Sequence, residues 1–220
     1  MMKRLMPALA ALFLTLGVHA ETPSDSGAAL PEAVAAPPDK PKLAYGQMIQ
    51  QGDKRLFSPC RDRSYLFLED VSPDAAVIKA LDGVGLAAGK PIYVELLAVA
   101  EGNSLKASAL NQAVAGGRCQ QPGGMEEDWR AAGNEPAWLL AVGREQLVVK
   151  RQGKADRILP VPLPGRAEGQ VDYRHAGADG ALKVRFTRGV CRDTVAAAVF
   201  GWRAELEIDG QTLRGCAWQR

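Results

Sequence analysis

Cys60, Cys119, Cys191 and Cys216 are the residues of this 220-residue chain best able to do chemistry with one another. An even number of cysteines downstream of an export signal implies a disulfide framework, because disulfides persist only where the compartment is oxidising, as in the bacterial periplasm. No C-x-x-C occurs, and reactive pairs are usually closely spaced or flanked by activating cations, so structural bridges are expected rather than redox sensors. Four cysteines permit about three pairings. Only Cys60 with Cys119 and Cys191 with Cys216 keeps each bridge inside one of the two domains inferred below.

Glu135 and Asp193 are the carboxylates of most interest, one beside Pro136 and Trp138 and the other beside a cysteine. Two nearby carboxylates can hydrolyse a glycan as acid and base or nucleophile. The competing role, which we prefer, is structural: Asn134 and Asp193 hydrogen-bond backbone groups in turns while Trp138 fills a barrel. The chain is therefore expected not to be an enzyme. His19 falls in the leader described next, which leaves His175, at the end of an expected strand, as the one remaining imidazole. With no G-x-S-x-G elbow, a nucleophilic triad has no framework. Outside the leader the methionines are Met48 and Met125, so neither a histidine nor a methionine cluster can hold zinc or copper. Phosphate loops and dinucleotide fingerprints are also missing, and neither a cofactor nor a metal is expected.

Lys3 and Arg4 precede an apolar run from Leu5 to Val18 and the small-residue pattern Val18-His19-Ala20. This reads as a secretory signal peptide over residues 1–20, too short to cross a bilayer core that needs about twenty apolar residues. The residue directly after the cleavage point is Glu21 and not a cysteine, so the processed protein is expected to be periplasmic and not membrane-anchored. The chain has 27 basic and 25 acidic residues. Loss of Lys3 and Arg4 balances them, and a neutral protein lacks the basic footprint that displaces counterions from nucleic acid.

The elements that must position these residues fall into two groups. Residues 21–42, rich in Pro and Ala, form a disordered linker. Gly116-Gly117 and Gln121-Pro122-Gly123-Gly124 mark a break between a domain at 43–121 and another at 126–220. In the first, extended segments at 43–51, 54–57 and 65–68 precede a short helix, with Ser72 as its cap and Pro73 at its first position. Strands at 92–99 and 105–110 then form a hairpin. Three strands, one helix and two strands is the order of an OB-like five-stranded barrel. In the second, Leu182, Val184 and Phe186 alternate with polar residues, as do Trp202, Ala204, Leu206 and Ile208. Period-two patterning gives strands with one buried and one wet face. Asp209-Gly210 supplies a tight turn. With strands at 138–142, 146–151, 158–161, 171–175 and 212–218, a small antiparallel β barrel or sandwich is expected. The fold class is mainly β.

The stretch from Tyr45-Gly46-Gln47-Met48 to Phe57-Ser58-Pro59-Cys60, with Pro91-Ile92-Tyr93-Val94-Glu95 downstream, resembles the C-terminal OB-fold domain of NlpE-like envelope lipoproteins, associated with copper tolerance and envelope stress signalling. Their lipid-attachment cysteine and C-x-x-C are absent from this chain, so the resemblance implies neither anchoring nor copper handling here. The second domain is similar to a bacterial envelope-protein family that opens with G-N-E-P-x-W, here Gly133 to Trp138. That family closes with C-x-D and G-C-A, here Cys191 to Asp193 and Gly215 to Ala217. This resemblance implies a compartment and a fold rather than an activity.

Gly133 to Trp138 and Cys191 to Gly201 are the segments that strand patterning explains least, and binding residues concentrate on loops carried by rigid scaffolds. They are expected to lie together as a partner-facing end, with Asn134, Glu135, Arg192 and Asp193 as polar contacts, Trp138 beside them, and Phe200 or Trp202 as an apolar anchor. The expected function is non-enzymatic: a periplasmic module, related to envelope stress, that recognises an envelope component or a partner protein. An inhibitor of a lysozyme-like hydrolase and a carboxylate-based hydrolase are the alternatives.

Overall fold

The computed structural model describes residues 39–119, 127–178 and 180–220. The expected signal peptide, the expected linker up to residue 38 and the Gln121–Gly124 stretch lie outside the described residues. Alternating burial builds the first half: β1 (Lys42–Gln51), β2 (Lys54–Pro59), β3 (Leu66–Asp70), β4 (Ile92–Glu101) and β5 (Ser104–Ala115). The order β3-β2-β1-β4-β5 is closed by a parallel pairing of β3 with β5, from Phe67 opposite Ser104 to Asp70 opposite Ala107. These strands form the closed five-stranded, OB-like barrel expected of the sequence. Met48, Phe57, Ile92, Leu96 and Leu105 fill it.

One helix, α1 (Ala76–Asp82), lies between β3 and β4 and buries Val77, Ala80 and Leu81, which share a face at helical spacing. Its start differs from the expected Ser72-Pro73 cap. Pro73–Ala75 form a separate 3-10 turn, and Asp74 and Ala75 have positive φ, which interrupts the helix before residue 76. The exposed N–H groups are satisfied from upstream. Asp70 accepts from Ile78 N at 2.8 Å and Ser72 N at 2.9 Å, and Ser72 Oγ accepts from Val77 N at 3.1 Å.

The second half contains β6 (Glu127–Asn134), β7 (Ala137–Gly143), β8 (Gln146–Arg151), β9 (Arg157–Pro160), β10 (Gly165–Ala167), β11 (Gln170–His175), β12 (Leu182–Asp193), β13 (Ala198–Ile208) and β14 (Gln211–Gln219). They pair antiparallel in the order β10-β11-β12-β13-β14-β6-β7-β8-β9. The sheet surrounds its own core, in which Trp129 stacks on Phe186 at 4.5 Å and meets Trp202 edge-on at 4.8 Å. Two strands were not foreseen. β6 reads Glu-Asp-Trp-Arg-Ala-Ala-Gly-Asn, without β-branched residues or clear alternation, and β10 is three residues long.

The two cores are joined by backbone. β13 pairs with β5 through Ala198–Val114, Val199–Ala113 and Phe200–Gln112, and Val199 belongs to the first core. Beside this seam the Asn111 side chain imitates a strand. Its Oδ1 accepts from Gln219 N at 2.9 Å and its Nδ2 donates to Gln219 O at 2.8 Å and to Glu95 Oε2 at 2.7 Å. Glu95 is 2% exposed. It also accepts from Tyr93 Oη and Gln112 Nε2, so this buried carboxylate is compensated by three donors. Asp39–Arg220 accordingly form one compact unit. The β5–β13 ladder joins the strands of the first barrel to those of the second by backbone hydrogen bonds.

Candidate functional site

Cys191 and Cys216 are bonded, with Cα atoms 5.4 Å apart, and Cys60 is bonded to Cys119 at the same separation, so all four cysteines are in the expected pairs. The Cys191–Cys216 bridge joins β12 to β14 across β13. Cys191 is opposite Phe200, and Cys216 is opposite Arg203. To reach that position β12 bulges between Arg188 and Cys191, around Gly189.

The bulge carries the next residues toward the turn between β6 and β7, where Glu135 and Pro136 are joined by a cis peptide. Asn134 Nδ2 donates to Asp193 Oδ1 at 3.1 Å. The same oxygen accepts from Val195 N at 2.9 Å and Ala196 N at 3.0 Å. The two segments singled out in the sequence therefore meet. Between them, on the outer face of β12, β13, β14 and β6, opens a cleft of about 740 Å³ whose lining includes Asn134, Glu135, Arg192, Asp193 and the disulfide. That volume is in the range of small-ligand sites.

The expected anchors, Phe200 or Trp202, and Trp138, expected beside the polar contacts or within the barrel, are all turned inward. Trp138 is buried in the second core and donates its Nε1 hydrogen to Arg214 O at 3.2 Å. Trp202 is buried in the same core, with the Arg188 guanidinium 4.2 Å from its ring centre. Phe200 stacks on Trp218 at 4.8 Å, in a small cluster with Ala198 and Cys216. None of the three is available to a partner. Both faces of β13 are covered near the seam, so an aromatic residue there packs internally whichever way it points. Arg192 is exposed, and its guanidinium lies against Gly83, just beyond α1, in the space a side chain there would occupy.

The cleft has residues that sequence reasoning passed over as the wet face of the strands: Arg185, Arg203, Glu205 and Arg214. Their alternation with buried neighbours was visible, but their alignment across strands was not. Asp172, Arg185, Glu205 and Arg214 occupy one row of mutually opposite positions. Arg185 Nε is 3.0 Å from Asp172 Oδ1, and Arg214 Nε is 3.3 Å from Glu205 Oε2. Burial acts upward on the Asp172 carboxyl, but hydrogen bonds from Gln170 and Arg185 outweigh it and hold the group below the ordinary carboxylate range. The adjacent row runs Thr187, Arg203, Cys216 and Ala132. Among the described residues Arg203 forms no ion pair.

Asp193 is held as a turn acceptor, with three donors on one oxygen, a use of aspartate common in loops. Asp193→Ala is expected to destabilise the protein by about 1–2 kcal/mol, which lowers the melting temperature by a few degrees. Asp193→Asn retains an acceptor oxygen and should recover most of that loss. Thermal unfolding followed by circular dichroism checks both, and an unchanged melting temperature in the alanine variant would show that the carboxylate ties nothing.

His175 ends β11 and lines a smaller cleft of about 390 Å³ with Lys183, Glu207 and Asp209, at the opposite end of β13. Among the described residues, no group of three or more His, Cys, Asp or Glu side chains is placed to hold a metal ion. No helix in the described residues is long and apolar enough to cross a membrane. Comparison of the chain with protein-family models, curated proteins and solved structures produced no match.

Proposed function

We propose that this chain is a non-enzymatic binding module of the periplasm that recognises an envelope component or a partner protein through the cleft beside Cys191–Cys216. The single observation that carries the reading is how the cleft is built. Two chain segments remote in sequence are held together by the Asn134–Asp193 hydrogen bond, and a disulfide ties β12 to β14 across β13 beside them, which makes a braced, polar recess. Pre-organisation of this kind reduces the ordering cost of binding. The two disulfides are consistent with an oxidising extracytoplasmic compartment, and the leader at residues 1–20 supplies the route. The resemblance of the first barrel to NlpE-like domains suggests a role in envelope stress.

A hydrolase is less well supported. Of its two carboxylates, Asp193 has one oxygen saturated by three donors, which leaves little freedom for nucleophilic or basic work. Inhibition of a lysozyme-like hydrolase is favoured by one feature, the loop at the cleft rim that presents Val195 at 80% exposure, suited to insertion into an enzyme's groove. A lysozyme turbidity assay with equimolar protein tests that reading directly.

The binding proposal is tested by photocrosslinking in cells. A photoreactive residue at Val195 should capture a discrete envelope species, whereas one at Ile158, exposed on β9 away from the cleft lining, should not. Equal labelling from both positions, or none from Val195, would remove the cleft as the recognition surface.

A further inference from the structure

We infer that the cleft binds an oxyanion group, a carboxylate or a phosphate, on the guanidinium of Arg203. This rests on the cleft being the binding site and names the chemistry it selects.

The argument comes from which charges are already used. Four arginines line the cleft, Arg185, Arg192, Arg203 and Arg214, with three acidic residues, Glu135, Asp193 and Glu205; the Arg192 guanidinium itself lies against Gly83. Arg185 is engaged by Asp172 and Arg214 by Glu205. Asp193 is taken by Asn134 and two turn amides. Among the described residues Arg203, Arg192, Glu135 and Asp193 form no ion pair, so these four charges balance in number, and the case for an anion rests on where Arg203 stands.

Arg203 is the better placed of the two cations. It stands on the middle strand of the floor, opposite Thr187 on β12 and Cys216 on β14, both uncharged, so no neighbouring acid in its row collapses its fork. Its guanidinium packs against the bulge at Gly189, where a Cβ would come within 3.4 Å of Cζ, so one side of the group is covered by backbone. Arg188, also near the bulge, is already placed over the Trp202 ring. A planar guanidinium held on a strand and free of an internal acid matches the bidentate geometry of a carboxylate or phosphate. Glu135, which also lines the cleft, would favour ligands that also have an amino group.

The test is calorimetric titration of the oxidised, processed protein with three probes: inorganic pyrophosphate, triglutamate and the neutral sugar chitotriose. One of the two anions should bind saturably at one site, and which of them does so separates a phosphate source from a carboxylate source. Arg203→Gln should weaken that binding about tenfold or more, and Arg203→Lys should not restore it, because an ammonium lacks the fork. Arg174→Gln, at an exposed arginine of β11 outside this cleft, should leave it unchanged. Absence of saturable anion binding, equal binding of chitotriose, or equal affinities in the Arg203→Gln and Arg174→Gln proteins would overturn the assignment. Crosslinking from Val195 in the Arg203→Gln protein distinguishes the two levels: a captured partner that persists there leaves the binding module standing without its oxyanion site.

Discussion

Replacement of Cys60 and Cys119 by serine is expected to lower the unfolding free energy by about 4 kcal/mol, and the same change at Cys191 and Cys216 by about 3.5 kcal/mol, by the loop-closure relation. The pairs are 59 and 25 residues apart, so the larger loss belongs to the longer loop. Against a net stability of about 5–15 kcal/mol, either loss is severe. The consequences differ by location. Cys60 follows β2, and its N–H donates to Tyr45 O, while Gln47 Nε2 donates to Gly117 O close to Cys119. Loss of that bridge frees the segment that leaves the first barrel. The other bridge crosses β13 and forms part of the cleft, so its loss should abolish capture from Val195 as well as stability. Urea titrations of both double-serine proteins check the magnitudes. A shift below about 1 kcal/mol for either would mean that the unfolded chain gains little freedom when that bridge is absent.

Gly201→Ala should be comparably damaging, although it adds a single methyl group. Gly201 sits in β13 between Phe200 and Trp202 and approaches β5 so closely that a Cβ would collide with the carbonyl oxygen of Leu110. The obstacle is backbone, so no rotamer change relieves it. Phe200 is paired with Gln112 at the same place, and the ladder must open to admit the methyl group. We expect a loss of about 3 kcal/mol, toward the upper end of the cost of overpacking. Unfolding should also become broader or divide relative to the wild type, since the β5–β13 seam helps to couple the two cores. Gly165→Ala is the control, because a Cβ there meets nothing closer than 3.9 Å. Unfolding of Gly201→Ala at the wild-type temperature, with one sharp transition, would contradict the close approach.

Local signals in this sequence translated well into local structure. Leu182, Val184 and Phe186 face the second core as their alternation requires, and so do Trp202, Ala204, Leu206 and Ile208. Asp209 and Gly210 both have positive φ in the two-residue turn between Ile208 and Gln211, the conformation for which Asp-Gly is suited. The order of strands and helix in the first half led correctly to a closed five-stranded barrel. The meeting of Asn134 with Asp193 was also anticipated, from segments that strand periodicity left unexplained.

What the sequence by itself determined was thus the type of each well-patterned element, the face each strand buries and the grouping of the cysteines, because these depend on residues two to four apart or on counts. The tertiary structure alone decided which strands lie beside one another. The insertion of β6 between β14 and β7, the ladder from β5 to β13 and the strand-like use of the Asn111 amide all join residues far apart in the chain, and no periodicity marks such pairings. The cleft has the same origin. Arg185, Arg203, Glu205 and Arg214 looked like ordinary solvent-facing positions until the register set them side by side, where Asp172 and Glu205 engage two of the arginines and leave Arg203 with no ion pair among the described residues. A site made of charges on adjacent strands has no signature along any one of them, because the distances that decide which charges are neutralised are set across the sheet.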